Sequence, residues 1–398
     1  MAGGVAATQV SPAAANNRIR TVLATRTKSG VLGSRCTMTV WDATAGRWVY
    51  GTRTTASLRG ASTTKILTSV AALHSMGAQR RLPTVVKKGA TTADLVLVAG
   101  GDPLLTSADL RRLAANTKAA LKRAGHSLRY SYSLRADDSL FTGDPISRGW
   151  SSRWVPDEVR PVGAFARDDR DVRDATADAG KYFASALRKI GVKATYRGES
   201  KAAPRAGAWA AIPGHTVGQA VSHALLVSDN DTAEMLFRLN AIANKQPATW
   251  AGARVAQAAV LRRLGVPMSH VTVIDGSGLS LHGRLTAPAL TAALAAAISP
   301  SHPELAPLRG YLPVAGRTGT LRASYSRFSS KPAKCAAGRI QAKTGTLADS
   351  IALAGYAQGA DGRTKVFVSI VNDRPTRYSR VTTRKAVDKV AASVTGCW

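Results

Sequence analysis

The sequence predicts a mixed α/β (α+β) protein: one large domain assembled from both ends of the chain, with a large inserted region between them. Three observations predict this. Short β-patterned segments lie near both termini, helical spacing of apolar residues dominates the middle, and the texture changes between residues 83 and 206. A chain of 398 residues is also too long for one ordinary core.

The elements follow in order. Residues 1–17 are rich in Ala and Gly and are expected to be a flexible segment. Residues 37–41 and 47–51 read as two strands joined by a turn ending at Gly46. Residues 62–76 read as a helix, with Ile66, Val70 and Leu73 recurring at helical spacing toward a core. The stretch 83–206 mixes short strands (93–99 and 128–135), a helix (107–124) and many Gly, Asp and Arg residues. Helical patterning returns at 216–227, 231–244 and 250–264. Strands follow at 339–342, 351–358 and 365–372, the last two joined across Gly359 and Gly362 as a hairpin. A helix over 377–394 closes the chain. The expected domains are therefore 18–82 with 207–398, an insertion at 83–206 of mixed α and β structure, and the segment 1–17.

Composition excludes several classes. Hydrophobic residues make up 45% and charged residues 20%, a globular balance rather than a disordered one. No apolar run reaches the ~18 residues of a membrane helix; the best stretch, 285–298, is broken by Thr and Pro. No repeat of fixed period is visible. Three cysteines are too few for a disulfide-dense scaffold or a Cys-rich zinc site, and no metal or cofactor is expected.

The charge is +31, with only four glutamates, Glu158, Glu199, Glu234 and Glu304. Windows 43–93 and 305–348 each carry eight Lys/Arg and no carboxylate. Such a balance favours anionic polymers by long-range attraction. No basic helix, zinc finger or aromatic-basic RNA motif is present, so nucleic acid is not an expected partner.

Three short motifs carry chemistry. Ser62-Thr63-Thr64-Lys65 opens a predicted helix, placing Ser62 and Lys65 on one face. Serine is a weak nucleophile until a base takes its proton, and a lysine depressed by burial or neighbouring cations can be that base. Ser228-Asp229-Asn230 lies between two predicted helices. Lys343-Thr344-Gly345-Thr346 ends a predicted strand, where a cation and two hydroxyls can meet a carboxylate and a glycine permits close approach of a substrate backbone. Each motif alone has a plain structural reading as a cap or turn. In this order they are the signature of serine β-lactamases and penicillin-binding proteins. Arg317-Thr318-Gly319-Thr320 imitates the third motif but sits in a loop-like stretch, so Lys343 is preferred.

The chain resembles the D-alanyl-D-alanine carboxypeptidase/endopeptidase family, the class C low-molecular-mass penicillin-binding proteins. Beyond the three motifs, Gly100-Gly101-Asp102-Pro103, Asp138-Ser139-Leu140-Phe141, Asp275-Gly276-Ser277-Gly278-Leu279 and Leu312-Pro313-Val314-Ala315-Gly316 carry the resemblance, as does the insertion that puts Ser228 166 residues after Ser62. It implies a β-lactamase/transpeptidase-like domain with an antiparallel sheet flanked by helices, and an inserted region of one or two small domains. It implies Ser62 as the acylated nucleophile, Lys65 as general base, and Ser228 as proton carrier to the departing D-alanine. Asn230 would bond the peptide; Lys343, Thr344 and Thr346 would hold the terminal carboxylate, with Gly345 between them. The N–H groups of Ser62 and Thr346 would form the oxyanion hole.

The implied partners are peptidoglycan peptides ending in D-Ala-D-Ala, β-lactam antibiotics and anionic cell-wall polymers. The implied location is outside the cytoplasm, although residues 1–17 have no charged segment followed by an apolar core and so no signal peptide as written. In an exported enzyme Cys335 and Cys397 would pair and leave Cys36 over, while Cys36 with Cys397 is also open. Two other functions share the features: a serine β-lactamase, disfavoured because no glutamate follows Asn230 at a suitable distance, and a non-enzymatic polymer binder, disfavoured by the intact Ser62, Lys65 and Lys343.

Overall fold

A computed structural model describes residues 10–398. In chain order the elements are α1 (Pro12–Arg26), β1 (Arg35–Asp42), β2 (Arg47–Thr52), α2 (Thr64–Met76), β3 (Thr84–Lys88), β4 (Asp94–Val98), α3 (Ser107–Arg123) and β5 (Tyr132–Asp137). Then come α4 (Ala175–Lys189), β6 (Ala194–Glu199), β7 (Ala208–Ile212), α5 (Val217–Leu226), α6 (Asn230–Ala243) and α7 (Trp250–Arg263). The C-terminal part holds α8 (Ala287–Ala296), β8 (Ile340–Thr346), β9 (Ile351–Gln358), β10 (Thr364–Asn372) and α9 (Arg380–Ser393).

The chain forms two compact units. The first comprises residues up to Ala71, Ser222–Asp229 and Ala258–Trp398. Its centre is an antiparallel sheet in the order β2-β1-β10-β9-β8. The N- and C-terminal strands pair along their whole length, from Arg35 opposite Asn372 to Asp42 opposite Lys365. On one face α1 and α9 bury Ile19, Leu23, Val387 and Val390 against Met38, Val40, Leu353 and Phe367. On the other face α8 packs on β1 and β10, and Thr39 of β1 meets Thr291 of α8 at 2.9 Å. Strand alternation puts Ala342 in the first core and therefore turns Lys343 to the opposite face. At the hairpin end, Lys365 Nζ donates to Asp42 at 2.6 Å and to Asp361 at 2.8 Å, all three side chains being buried.

Cys335 and Cys397 form the disulfide, closing a 62-residue separation, and Cys36 is the buried free thiol. Burial pushes the Cys36 thiol up to about 12, so it is an inert apolar filler of the first strand.

The second unit comprises Ala72–Val221 and Asn230–Gln257, so the expected insertion at 83–206 lies inside a larger body with two chain segments. Its sheet has the order β6-β5-β4-β3-β7. β4, β5 and β6 are parallel, and α3 and α4 are the crossovers such pairing needs. Thr106 and Asp109 form a capping box that starts α3. From α6, the buried Arg238 donates to the carbonyls of Thr142, Ala248 and Asp144 and lies 4.0 Å over the Trp250 ring.

Several expectations shift. Part of the segment expected to be flexible, residues 12–17, is the first turn and a half of α1, capped by Ser11 and set by Pro12, with Ala15, Ile19 and Leu23 buried at helical spacing. Residues 1–9 of that segment lie outside the described residues. The strand expected at 128–135 begins at Tyr132. Helices α4 and α8 and strands β3, β6 and β7 are additional to the sequence reading. No helix among the described residues is long and apolar enough to cross a membrane.

Candidate active site

The first motif occupies a tight corner. Ala61–Thr63 form a single 3₁₀ turn that runs into α2, and Ala61 is held at φ 46°. That left-handed conformation in a residue with a Cβ is a strained one and must be imposed by its surroundings. The surroundings are visible. Thr63 Oγ1 donates to the Gly60 carbonyl at 2.6 Å. A Cβ on Gly60 would stand 2.5 Å from Leu285, and one on Gly278 would stand 2.1 Å from the Ala61 carbonyl. Gly278 itself has φ 79°, which glycine adopts at little cost.

Ser62, half-buried, therefore faces Lys65 one turn later. Lys65 is fully buried, and its Nζ lies 3.0 Å from Ser62 Oγ and 3.2 Å from the Ser277 carbonyl. The 275–279 loop that supplies this carbonyl is folded around Asp275, whose carboxylate accepts from Gly278 N at 2.9 Å and Ser280 N at 2.6 Å. Thr68, one turn beyond Lys65, ties the same loop to α2 through the Gly276 carbonyl at 2.7 Å.

The third motif lies on β8. Lys343 is fully buried, and its Nζ donates to Ser228 Oγ at 2.7 Å and to the Thr344 carbonyl at 2.9 Å. Burial first, then the charges of Lys65 and Arg327, hold its pKa well below the usual lysine range. Ser228 has φ 69°, a second non-glycine residue in the left-handed region at this site. Thr344 Oγ1 is 2.8 Å from Thr320 Oγ1. Thr346 is exposed at the end of β8 opposite Ile351. Gly345 has a different reason for being glycine than substrate approach alone: an added Cβ would come within 2.6 Å of the Gly60 carbonyl and 3.2 Å of Ala61. It lets β8 lie directly against the Ser62 turn.

Ser62, Lys65, Ser228, Lys343 and Thr344 thus belong to one unit. Asn230 opens α6 in the other, where its amide donates to the Glu158 carbonyl at 2.7 Å. Arg317 is not on a strand; its guanidinium lies beside Gly338. Its neighbours are not incidental, however. Pro313 to Ala315 bond to β8 through the Ile340 carbonyl and Ala342 N, and Thr320 touches Thr344.

Sequence reasoning missed this Thr320 contact, the Ser277 carbonyl, and a network around Asn372. Asn372 at the end of β10 accepts from Arg59 N at 2.7 Å and donates to the Arg59 carbonyl and to Ser350 Oγ, both at 3.0 Å. Arg59 in turn ion-pairs with Asp349. The network clamps the approach to Ser62 onto the turn between β8 and β9. None of it forms a local motif, so only the three-dimensional approach of distant segments reveals it.

The D-Ala-D-Ala carboxypeptidase 3 (S13) family matches residues 19–158 and 155–394. The chain belongs to that family. It is a serine-type D-Ala-D-Ala carboxypeptidase. It is 30% identical to a carboxypeptidase of Mycobacterium tuberculosis over 99% of this chain and 86% of that one. It is likewise 30% identical to carboxypeptidase DacB of Mycolicibacterium smegmatis, over 89% and 79% of the two chains. Among solved structures, penicillin-binding protein 4 of Haemophilus influenzae has the same fold, with a TM-score of 0.74 at 20% identity, covering 94% of this chain and 99% of that one.

Proposed function

We propose that this S13 carboxypeptidase works through an acyl-enzyme on Ser62, and that its substrates are peptidoglycan stem peptides ending in D-Ala-D-Ala. The observation that carries the reading is the 3.0 Å contact between Ser62 Oγ and the buried Lys65 Nζ. Lys65, as general base, takes the hydroxyl proton as Oγ attacks the penultimate D-Ala carbonyl. The N–H groups of Ser62 and Thr346 receive the oxyanion, from a β8 that Gly345 brings against the serine turn. The intermediate collapses, the C–N bond breaks, and the departing amine gains a proton through Ser228, whose hydroxyl is held by Lys343 at 2.7 Å. Water then hydrolyses the ester. Lys343, Thr344 and Thr346 bind the terminal carboxylate, and Asn230 bonds the peptide backbone.

A β-lactam presents an acyl carbonyl and a carboxylate in the same relation, so it acylates Ser62 and is released slowly. An endopeptidase of Bdellovibrio bacteriovorus with this fold, TM-score 0.54 and 14% identity over 91% of this chain and 92% of its own, has been solved acylated by penicillin G. Cleavage of cross-linking D-Ala bonds is the same chemistry with a larger leaving group. The β-lactamase alternative requires a glutamate that activates the deacylating water. Glu234, the glutamate that follows Asn230 most closely, is fully buried in α6.

The enzyme works outside the cytoplasm, where its substrate is, and the +31 charge holds it on anionic wall polymers. D-alanine release from a soluble peptide ending in D-Ala-D-Ala, followed in the wild type and in Ser62→Ala, tests the reading. Release that survives in Ser62→Ala removes the nucleophile assignment.

A further inference from the structure

A cleft of about 390 Å³ opens in the first unit, and Ser62 is not among the residues that line it. Its walls include Trp41, Trp48, Ala295, Ser299 and His302. Trp41 and Trp48 face each other across the β1–β2 pair, next to a bulge after Val40 that adds local twist. Trp48 is 54% exposed, an uncommon setting for the largest apolar side chain. Small residues of α8 form the opposite wall, and Ser299 and His302 bring hydroxyl and imidazole groups to it. His302 Nδ1 stands 3.7 Å from Glu304.

The charge of the lining decides the class of ligand. The chain has 55 Lys and Arg residues, yet among the described residues no Lys, Arg or carboxylate lines this cleft. The lining therefore offers a phosphate or carboxylate polymer no lysine or arginine to pair with. A neutral ligand with apolar faces and polar edges suits it instead. Indole rings offer flat contact to the C–H face of a pyranose, while hydroxyl and imidazole groups meet its rim hydroxyls. We propose that this cleft is a glycan subsite that holds the neutral amino-sugar chain of peptidoglycan apart from the acyl site.

The position supports an accessory role. Strand β2 is at one edge of the sheet and β8 at the other, four strand spacings or about 19 Å apart. That is comparable to an extended five-residue peptide, at most about 17 Å. Lys343, Thr344 and Ser228 are not among the residues that line the cleft, so it is separate from the carboxylate clamp. It offers a hold on the polymer to which the scissile peptide is attached, or on a neighbouring strand of it. This part of the proposal rests on the peptidoglycan reading above, whereas the sugar affinity itself does not.

The test titrates the full chain with N-acetylglucosamine oligosaccharides, which are peptide-free and carry no carboxylate, following indole fluorescence. Wild type should show saturable quenching. Trp48→Ala, at an exposed position, and Ala295→Arg, which fills the cleft with a good helix former, should each weaken binding about tenfold or more. Thermal melts check that both variants fold. Fluorescent-penicillin labelling and D-alanine release from a soluble pentapeptide should be unchanged in both. Release from glycan-attached peptides should show a raised KM.

No sugar binding by wild type, binding unchanged in both variants, or uptake of an apolar peptide in place of sugar would each overturn the proposal. Sugar binding that persists in a protein releasing no D-alanine would retain the cleft and refute the peptidase reading instead.

Discussion

Lys343 sits where two demands conflict. A carboxylate needs its positive charge, while burial and the neighbouring charges of Lys65 and Arg327 oppose that charge. Because its pKa is lowered, the protonated, carboxylate-binding form is lost as pH rises, well before an ordinary lysine would titrate. The alkaline limb of penicillin acylation should therefore fall below the usual lysine range and be absent in Lys343→Ala, as a stopped-flow pH series can measure. At neutral pH, Lys343→Ala should slow acylation roughly 10- to 150-fold, the equivalent of one charge-assisted hydrogen bond. Arg317→Ala should change it little, since Arg317 lies beside Gly338 and not on β8. At this scale the site was largely legible in sequence: a serine and a lysine three apart need only one helical turn to meet. The Ser277 carbonyl was not legible, because any residue can supply a carbonyl, and only the fold of the Asp275 loop aims this one at Lys65.

Elements matter here through how they brace one another. Asn372 joins the end of β10 to the segment before Ser62 and to Ser350. Asn372→Ala leaves Arg59 N and Ser350 without those partners, and should cost about 1–3 kcal/mol and slow acylation, read by thermal melts beside penicillin labelling. Gly278→Ala should be worse for acylation than for solubility, because its Cβ would drive the Ala61 carbonyl out of place. The β9–β10 hairpin was readable from two apolar runs bounded by glycines. Helices α1 and α8 were not: both are Ala-rich, so their buried faces differ too little in hydrophobicity from their exposed ones to stand out. The pairing of β1 with β10 joins residues more than 300 positions apart, and no local pattern encodes such a register.

Across the whole molecule, two features act without a specific pocket. The Cys335–Cys397 bridge ties the segment before β8 to the C-terminus across 62 residues. On the loop-entropy account its removal costs up to about 4 kcal/mol. A Cys335→Ser, Cys397→Ser double variant should therefore melt several degrees lower while Cys36→Ser changes little. The +31 charge acts over longer distances and is screened beyond about 8 Å at physiological salt. Binding to isolated walls should thus fall steeply as salt rises, while D-alanine release from a small peptide changes far less, because Lys343 acts at contact distance in a buried site. Sedimentation with purified walls, run beside the release assay, separates the two.

The most direct test of the account is peptide mapping by mass spectrometry after reaction with penicillin. The acyl mass is predicted on the peptide containing Ser62, and lost in Ser62→Ala. An adduct on any other serine, Ser228 included, would contradict the assignment of the nucleophile.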